Sequence, residues 1–253
     1  MSPRRRELDP ARVELVSFDL DGTLVDAAAG WRVGFDLAFA QLTERHPVLA
    51  DLGEAQAVHD ELFVAYMDEA HRAGGGREWD EAFVRAAFRE LLARHAERDD
   101  AFADRVFEAY EVTWPRSVAI YEETLPTLEA LRGRVRLVVI SNGLRQYQWP
   151  KIERFDLAPY FDRIVISEEV GVVKPEREIF AAAVEGFDVS PEAAIHVGDS
   201  HDADVAGARA AGWLAAWVRR GAGHASAEAP PDAAHRADLE IDTLTEIADW
   251  LEG

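Results

Sequence analysis

Asp19 and Asp21 stand two residues apart in the run Asp19-Leu20-Asp21-Gly22-Thr23-Leu24. Paired carboxylates can divide labour, one ionised as a nucleophile and the other exchanging a proton as acid and base. By itself a D-x-D pair also caps helices or holds structural calcium. Here it closes the segment Val13 to Leu20, which is mostly apolar and β-favouring and ends at the turn signal Asp21-Gly22. An extended strand end points both carboxylates the same way. Gly22 permits a turn that redirects the second while leaving both near one cavity. Three further groups follow other short apolar runs. Ser141-Asn142-Gly143 comes after Leu137 to Ile140 and offers a hydroxyl and backbone N–H groups, which either cap a helix or cradle a phosphate. Lys174-Pro175 lies beyond Ile164 to Ile166. Gly198-Asp199-Ser200 ends Ala194 to Val197, with Asp202 and Asp204 beyond. Those carboxylates can hold a hard cation or cap the next helix.

The elements that must position these groups are strands Val13–Leu20, Arg136–Ile140, Ile164–Ile166, Ala194–Val197, Trp213–Val218 and Leu239–Ile241. Helical patterns lie between and after them, at Tyr147–Phe155, Glu178–Glu185, Val205–Ala211 and Thr245–Leu251. Near-continuous apolar strands alternating with helices indicate an α/β fold, a doubly wound (Rossmann-like) parallel sheet covered on both faces. From Ala27 to Trp114 the alternation stops. Apolar residues recur there at helical spacing: Trp31, Phe35, Ala38, Phe39 and Leu42; Leu62, Tyr66 and Met67; Phe83, Ala87, Phe88 and Leu91; Phe102, Val106, Phe107 and Tyr110. This predicts a bundle of about four helices with a loop at Gly74–Gly76. Residues 1–26 and 115–253 would form the α/β core, and 27–114 an all-helical insertion over the carboxyl end of the first strand, where ligands bind in open α/β sheets. Trp31, Arg32, Phe35, Gly74–Gly76, Arg145 and Gln146 are candidates for reading a substrate, against core or surface roles for the same residues.

Composition narrows the function classes. The 253 residues carry 48 acidic and 27 basic side chains, a formal net charge of −21. Such a surface repels phosphate backbones and disfavours nucleic acid as a partner. With no cysteine, disulfides, thiolate zinc sites and cysteine nucleophiles are excluded. No apolar run approaches the roughly 20 residues of a membrane span. Arg4, Arg5 and Arg6 lack the apolar stretch an export signal needs, so a cytoplasmic location is expected. The segment Arg219 to Arg236 reads as an exposed loop whose His224 and His235 are too sparse for a metal site. Only Lys151 and Lys174 are lysines, so the other 25 basic residues are arginines. Lys174 suggests a position that wants a compact ammonium rather than a planar fork, whereas Lys151 reads as a surface residue of an exposed helix. An acidic, lysine-poor chain resembles proteins of salt-loving organisms. Its thermal midpoint is expected to rise between dilute buffer and molar KCl, where screening removes self-repulsion, and an unchanged midpoint would remove the halophilic reading.

The four groups, in their order and at successive strand ends, resemble the haloacid dehalogenase-like hydrolase superfamily over nearly the whole chain. Phe18–Leu24 looks like its first motif, Ile140–Gly143 its second, Lys174-Pro175 its third and His196–Asp204 its fourth. The insertion is similar to its type 1 helical cap. The stretch Ile166 to Pro175 resembles the branch of pyrimidine 5′-nucleotidases and N-acylneuraminate-9-phosphatases, with phosphoglycolate phosphatases close by. The resemblance implies a magnesium-dependent phosphatase of a small phosphorylated metabolite, active as a monomer or homodimer. Asp19 would form an aspartyl-phosphate with Asp21 as general acid and base. Mg2+ would sit on Asp19, the Asp21 backbone carbonyl and Asp199. Ser141, Asn142 and Lys174 would hold the phosphoryl group, with Thr23 fixing the loop and the Asp21 side chain. Gly22, Gly143, Ser200 and Asp204 would support the site, Asp204 by steadying Lys174 or metal-bound water. Alternatives are a phosphomutase on sugar phosphates, a 2-haloacid dehalogenase, disfavoured because those enzymes lack an acid at the position of Asp21, and a catalytically silent binding module.

Overall fold

A computed structural model of the chain describes residues 8–45, 85–86, 89–90, 92–93, 99–220 and 236–253. Strands β1 (Leu15–Phe18), β2 (Arg136–Ser141), β3 (Arg163–Ile166), β4 (Ala194–Gly198), β5 (Leu214–Val218) and β6 (Leu239–Ile241) build one sheet. Every neighbouring pair is parallel, in the order β3-β2-β1-β4-β5-β6. Leu15, Val16, Ser17 and Phe18 are all fully buried, as a central strand covered on both faces requires. Hydrogen bonding outlasts the regular strand. Glu14 and Asp19 still pair through their N–H groups with the Ala193 and Val197 carbonyls of the β4 side. After β1 the chain eventually builds β2 and β3 on one side and then β4, β5 and β6 on the other. The connections therefore diverge at the carboxyl end of β1 and open a crevice between β2 and β4.

Among the described residues, helices α3 (Thr124–Leu131), α4 (Arg145–Arg154), α5 (Ser167–Val170), α6 (Arg177–Val184) and α7 (Ala206–Ala210) lie between these strands, and α8 (Thr245–Glu252) follows the last of them. Helix α3 was not expected. Its buried Thr124, Thr127, Leu128 and Leu131 have helical spacing, but an internal proline and two threonines weaken the propensity signal. Helix α7 is preceded by one turn of π-helix, His201–Val205, capped by the Ser200 side chain accepting from the Ala203 N–H. The core joins Leu15, Val138, Ile140 and Val165 of the sheet to Ile179 and Phe180 of α6 and to Ala208 of α7. Phe180 meets the rings of Trp213 and His196 edge-on, at 5.4 and 5.3 Å between centroids.

The chain divides into two compact units, Met1–Asp26 with Ile120–Gly253, and Ala27–Ala119. The second contains the helices α1 (Ala27–Arg45) and α2 (Asp100–Ser117), which pack on one another. From α2 the residues Val106, Phe107, Tyr110 and Trp114 are buried at i, i+4 and i, i+3 spacing, with Tyr110 and Trp114 stacked. A side chain at Gly34 of α1 would strike Trp114, so this glycine lets the two helices approach closely. Trp31, Arg32, Phe35, Ala38, Phe39 and Leu42 fall on α1 with side chains outside the description. Leu62, Tyr66, Met67, the Gly74–Gly76 loop, Phe83, Ala87, Phe88 and Leu91 lie outside the described residues, as do Arg4–Arg6, His224 and His235. No described helix is long and apolar enough to cross a membrane.

Candidate active site

At the carboxyl end of β1, Asp19 is 6% exposed and Asp21 is the more open of the pair. Between and beyond them the chain folds back. Leu24 and Val25 donate their N–H groups to the Leu20 carbonyl, and the Gly22 N–H donates to Val25. Gly22 has φ +81°, and a Cβ there would run into the Asp199 carboxylate. Glycine is thus required twice, by its backbone and by the approach of Asp199.

Lys174 comes from the loop between α5 and α6 and is 4% exposed. Its ammonium donates to Asp19 Oδ1 at 2.6 Å and to Asp204 Oδ1 at 2.7 Å. Asp204 Oδ1 also takes a hydrogen bond from His196 Nε2 at 3.0 Å, and Oδ2 one from the Ser200 N–H at 2.9 Å. Burial keeps His196 neutral by pushing its pKa down, against the pull of Asp204. Because Asp204 only accepts, the proton sits on Nε2, and Nδ1 accepts from the Ser17 hydroxyl at 2.7 Å. A Cβ on Gly198 would strike Asp204, so that glycine admits the carboxylate.

Electrostatics separates the three inner acids. Burial drives the Asp19 pKa up to about 7, partly opposed by Lys174 and reinforced by the Asp204 and Asp21 charges. Asp199 is pushed well above the carboxylate range by burial and by Asp19 and Asp204. Asp204 moves the other way, because Lys174 and His196 outweigh its burial and hold it low. Burial alone would discharge Lys174, but Asp19 and Asp204 keep it protonated above the ordinary lysine value. Asp19, Asp199 and Asp204 each bring an oxygen within 4.8 Å of the others, yet only one ammonium lies among them. An excess of buried negative charge on hard oxygen donors fits a small divalent cation. Both Asp204 oxygens already accept from Lys174, His196 and Ser200, which leaves Asp19 and Asp199 as the carboxylates able to serve it. Asp199 is fixed by its own carbonyl, which accepts from Trp217 Nε1 at 2.9 Å.

Ser141, at the end of β2, is fully buried. The Asn142 side chain makes a reciprocal pair with the Lys174 backbone, Nδ2 donating to its carbonyl at 3.0 Å and Oδ1 accepting from its N–H at 2.7 Å. The second and third motifs are therefore locked together. The Gly143 N–H is taken by the Ser167 hydroxyl. Ser200 caps the π turn.

Four expectations change. Lys151 is not a surface residue. It is 1% exposed, and its ammonium bonds both Asp21 oxygens, at 2.6 and 2.5 Å. Gln148, one helical turn earlier on the same face of α4, donates from Nε2 to Asp21 Oδ2 at 3.0 Å and to the Asn142 carbonyl at 2.8 Å. The Asp21 side chain is thus held from α4, whereas the buried Thr23 hydroxyl has no hydrogen-bond partner among the described residues and does not hold it there. Helix α4 also turns Arg145 and Gln146 outward, where with Trp149, Pro150, Glu153 and Glu168 they line a separate cavity of about 620 Å³, and Arg145 pairs with Glu169. Finally, Arg220 does not belong to an exposed loop. Its guanidinium donates to the Gly22 and Thr23 carbonyls and to Glu123, and stacks 3.6 Å over the Tyr121 ring. It fastens the loop that carries Asp21.

The chain is similar to known proteins in sequence and in fold. Residues 13–212 match the family described as haloacid dehalogenase-like hydrolase. A glyceraldehyde 3-phosphate phosphatase of Methanopyrus kandleri is 38% identical over 51% of this chain and 55% of its own length. The chain reaches 55% and 65% of the lengths of the first two curated relatives it matches. A 2-haloacid dehalogenase of Pseudomonas syringae pv. Tomato is 30% identical, with a TM-score of 0.61 over 95% of this chain and 98% of that one. The hydrolase YfnB of Bacillus subtilis, solved bound to magnesium, shares the fold at a TM-score of 0.71 and 22% identity over 96% of this chain and 100% of that one.

Proposed function

The chain belongs to the haloacid dehalogenase-like hydrolases, and from that premise we propose that it is a magnesium-dependent phosphatase acting on a small phosphomonoester. Asp21 carries this reading. An alkoxide leaving group needs a proton, a halide does not, and a second carboxylate stands beside the nucleophile, anchored by Lys151 and Gln148. Asp19 attacks phosphorus in line and forms an aspartyl-phosphate as the ester oxygen departs. Asp21 gives that oxygen its proton, then takes one from the water that hydrolyses the intermediate. Ser141, the Asn142 backbone and Lys174 receive the phosphoryl oxygens, and Lys174 also orients Asp19. Asp19, Asp199 and the Asp21 carbonyl would hold Mg2+, whose charge lets a carboxylate approach a phosphate dianion. Curated relatives named as glyceraldehyde 3-phosphate, phosphoserine and N-acylneuraminate-9-phosphate phosphatases support a small phosphorylated substrate.

The test is phosphate release in molar KCl with magnesium. The panel holds nucleoside monophosphates, phosphoglycolate, phosphoserine, glyceraldehyde 3-phosphate, sugar phosphates and N-acylneuraminate-9-phosphate, with Asp19→Asn as control. Release that the variant loses supports the reading. A sugar-phosphate isomer without free phosphate selects a mutase instead. The Pseudomonas syringae likeness favours a second reading, dehalogenation, and halide release from 2-chloropropionate without phosphate release would select it.

The raised carboxylates predict how metal and pH interact. The folded Asp19 value of about 7 lies above its unfolded 3.8. The metal-free fold therefore has this stability in full below about pH 4 and loses it as pH rises through about 7. Asp199 shifts in the same direction. A cation that takes the place of those protons stabilises more at pH 8 than at pH 5. Magnesium is expected to raise the thermal midpoint by ~5 °C at pH 8 and by less than half as much at pH 5. Equal gains at both would remove Asp19 and Asp199 from the metal site.

A further inference from the structure

Helix α4 brings a buried amine to Asp21, a residue whose side chain the resemblance had assigned to Thr23. The Asp21 carboxylate makes three side-chain hydrogen bonds among the described residues, two from Lys151 and one from Gln148. All three come from α4, and Gln148 Nε2 simultaneously reaches the Asn142 carbonyl. Both partners of that amide nitrogen are acceptors, which fixes its orientation. Asp21 itself sits on the loop one residue before Gly22, and the rotation of its side chain about χ1 and χ2 is set by the groups that bind its carboxylate. We propose that Lys151 and Gln148 are positioning residues for Asp21, clamping its carboxylate in the one orientation that meets the departing oxygen.

Composition supports an ammonium at this position. Of 27 basic side chains two are lysines, and both end on the aspartates of one loop, Lys174 on Asp19 and Lys151 on Asp21. A chain that otherwise chooses arginine keeps lysine where a nearly closed pocket admits a compact donor but not a planar fork. Lys151 is 1% exposed, and burying an ammonium is costly unless the charge is matched, so packing alone does not account for it. The benefit lies in preorganisation. A proton donor works only within hydrogen-bond reach of the atom it serves, and a side chain already held there loses no rotamer freedom during the reaction. Because α4 begins just after Ser141-Asn142-Gly143, the clamp also ties the acid to the groups proposed to hold the phosphoryl oxygens.

This inference rests on the phosphatase reading and is tested with the whole enzyme in molar KCl and magnesium. Initial rates are compared for an alkyl phosphomonoester, which needs the acid, and for p-nitrophenyl phosphate, which scarcely does. The variants are Lys151→Met, Lys151→Arg, Gln148→Leu, Asp21→Asn and the double variant Lys151→Met/Asp21→Asn. Lys151→Met is expected to lower kcat on the alkyl ester by ~10²-fold with little change in KM, and on p-nitrophenyl phosphate by under ~10-fold. Added to Asp21→Asn it costs nothing further, because both act through one carboxylate. Lys151→Arg gives no rescue. Gln148→Leu keeps the ammonium, safeguards against a folding defect, and shows the same leaving-group dependence at smaller size. Equal losses on both esters, full additivity with Asp21→Asn, or an unchanged kcat would each overturn the clamp while leaving the phosphatase reading in place. A wild-type enzyme that releases no phosphate from any ester would overturn the reading and the clamp with it.

Discussion

Asp19→Asn is expected to slow phosphate release by ~10⁴-fold or more while making the metal-free fold more stable at pH 8. The two effects have one origin. Asp19 is 6% exposed at the end of a central strand, and burial lifts its carboxyl to about 7, with Lys174 only partly opposing. Above that pH the folded state must carry an ionised group that the unfolded chain ionises at 3.8. Three pH units at about 1.4 kcal/mol each give an upper bound of about 4 kcal/mol held against the fold. Asparagine removes the charge and keeps the size. It cannot form a covalent phosphoryl intermediate, so turnover goes. Lys174 retains Asp204 as a partner at 2.7 Å, so no buried ammonium is stranded. Below about pH 4 the wild-type carboxyl is protonated and the gain vanishes. Thermal midpoints of both proteins in chelator at pH 4 and pH 8, beside phosphate release with magnesium, check this. A variant less stable than wild type at pH 8 would show that the Lys174–Asp19 bond outweighs the burial of charge.

How far such a site can be read without coordinates depends on which forces place each residue. Asp19, Asp21, Ser141, Asn142 and Asp199 stood out in position because each lies at or just past the end of a short apolar run, and runs of that kind become adjacent parallel strands; Lys174, beyond α5, stood out by the rarity of lysine. The six expected strands are the six of the sheet, with ends moved by a residue or two. What lay hidden depends on helix faces and on side chains meeting from distant segments. Lys151 lies 130 residues from Asp21, and the polar look of α4 suggested a surface. Yet Tyr147, Gln148, Lys151 and Ile152 share one buried face at i, i+1, i+4 and i+5. Lysine is as rare at 151 as at 174. Thr23 and Asn142 show a different limit. Their positions were legible, but whether a hydroxyl finds a partner or an amide pairs with a neighbouring loop is decided by ångström-scale packing. The Asn142 side chain turns out to hold the Lys174 backbone.

Lys174→Met is the substitution expected to damage stability most. The ammonium is shared between two carboxylates, Asp19 at 2.6 Å and Asp204 at 2.7 Å, the latter 2% exposed. Removing it leaves two buried acids facing one another and Asp199, a change that typically costs about 3–5 kcal/mol. Asp204 retains His196 and the Ser200 N–H, so part of its charge stays matched and the loss falls mainly on Asp19. With the ammonium gone the carboxyls prefer to be protonated, so the variant should recover as pH falls, the reverse of an acid-labile protein. Turnover is expected to fall by ~10³-fold or more, since Lys174 both orients the nucleophile and faces the phosphoryl oxygens in the proposed mechanism. Lys174→Arg separates charge from shape. It restores a cation, but its planar fork must fit a pocket where the lysine is 4% exposed and where the Asn142 side chain fixes the backbone on both sides. Stability is therefore expected to return in part and activity not to return. Denaturant midpoints of both variants at pH 5 and pH 8, with initial rates in magnesium, test the argument. An arginine variant with wild-type turnover would mean that charge alone suffices. A methionine variant as stable as wild type at pH 8 would mean that Asp19 and Asp204 do not depend on Lys174 for their charge.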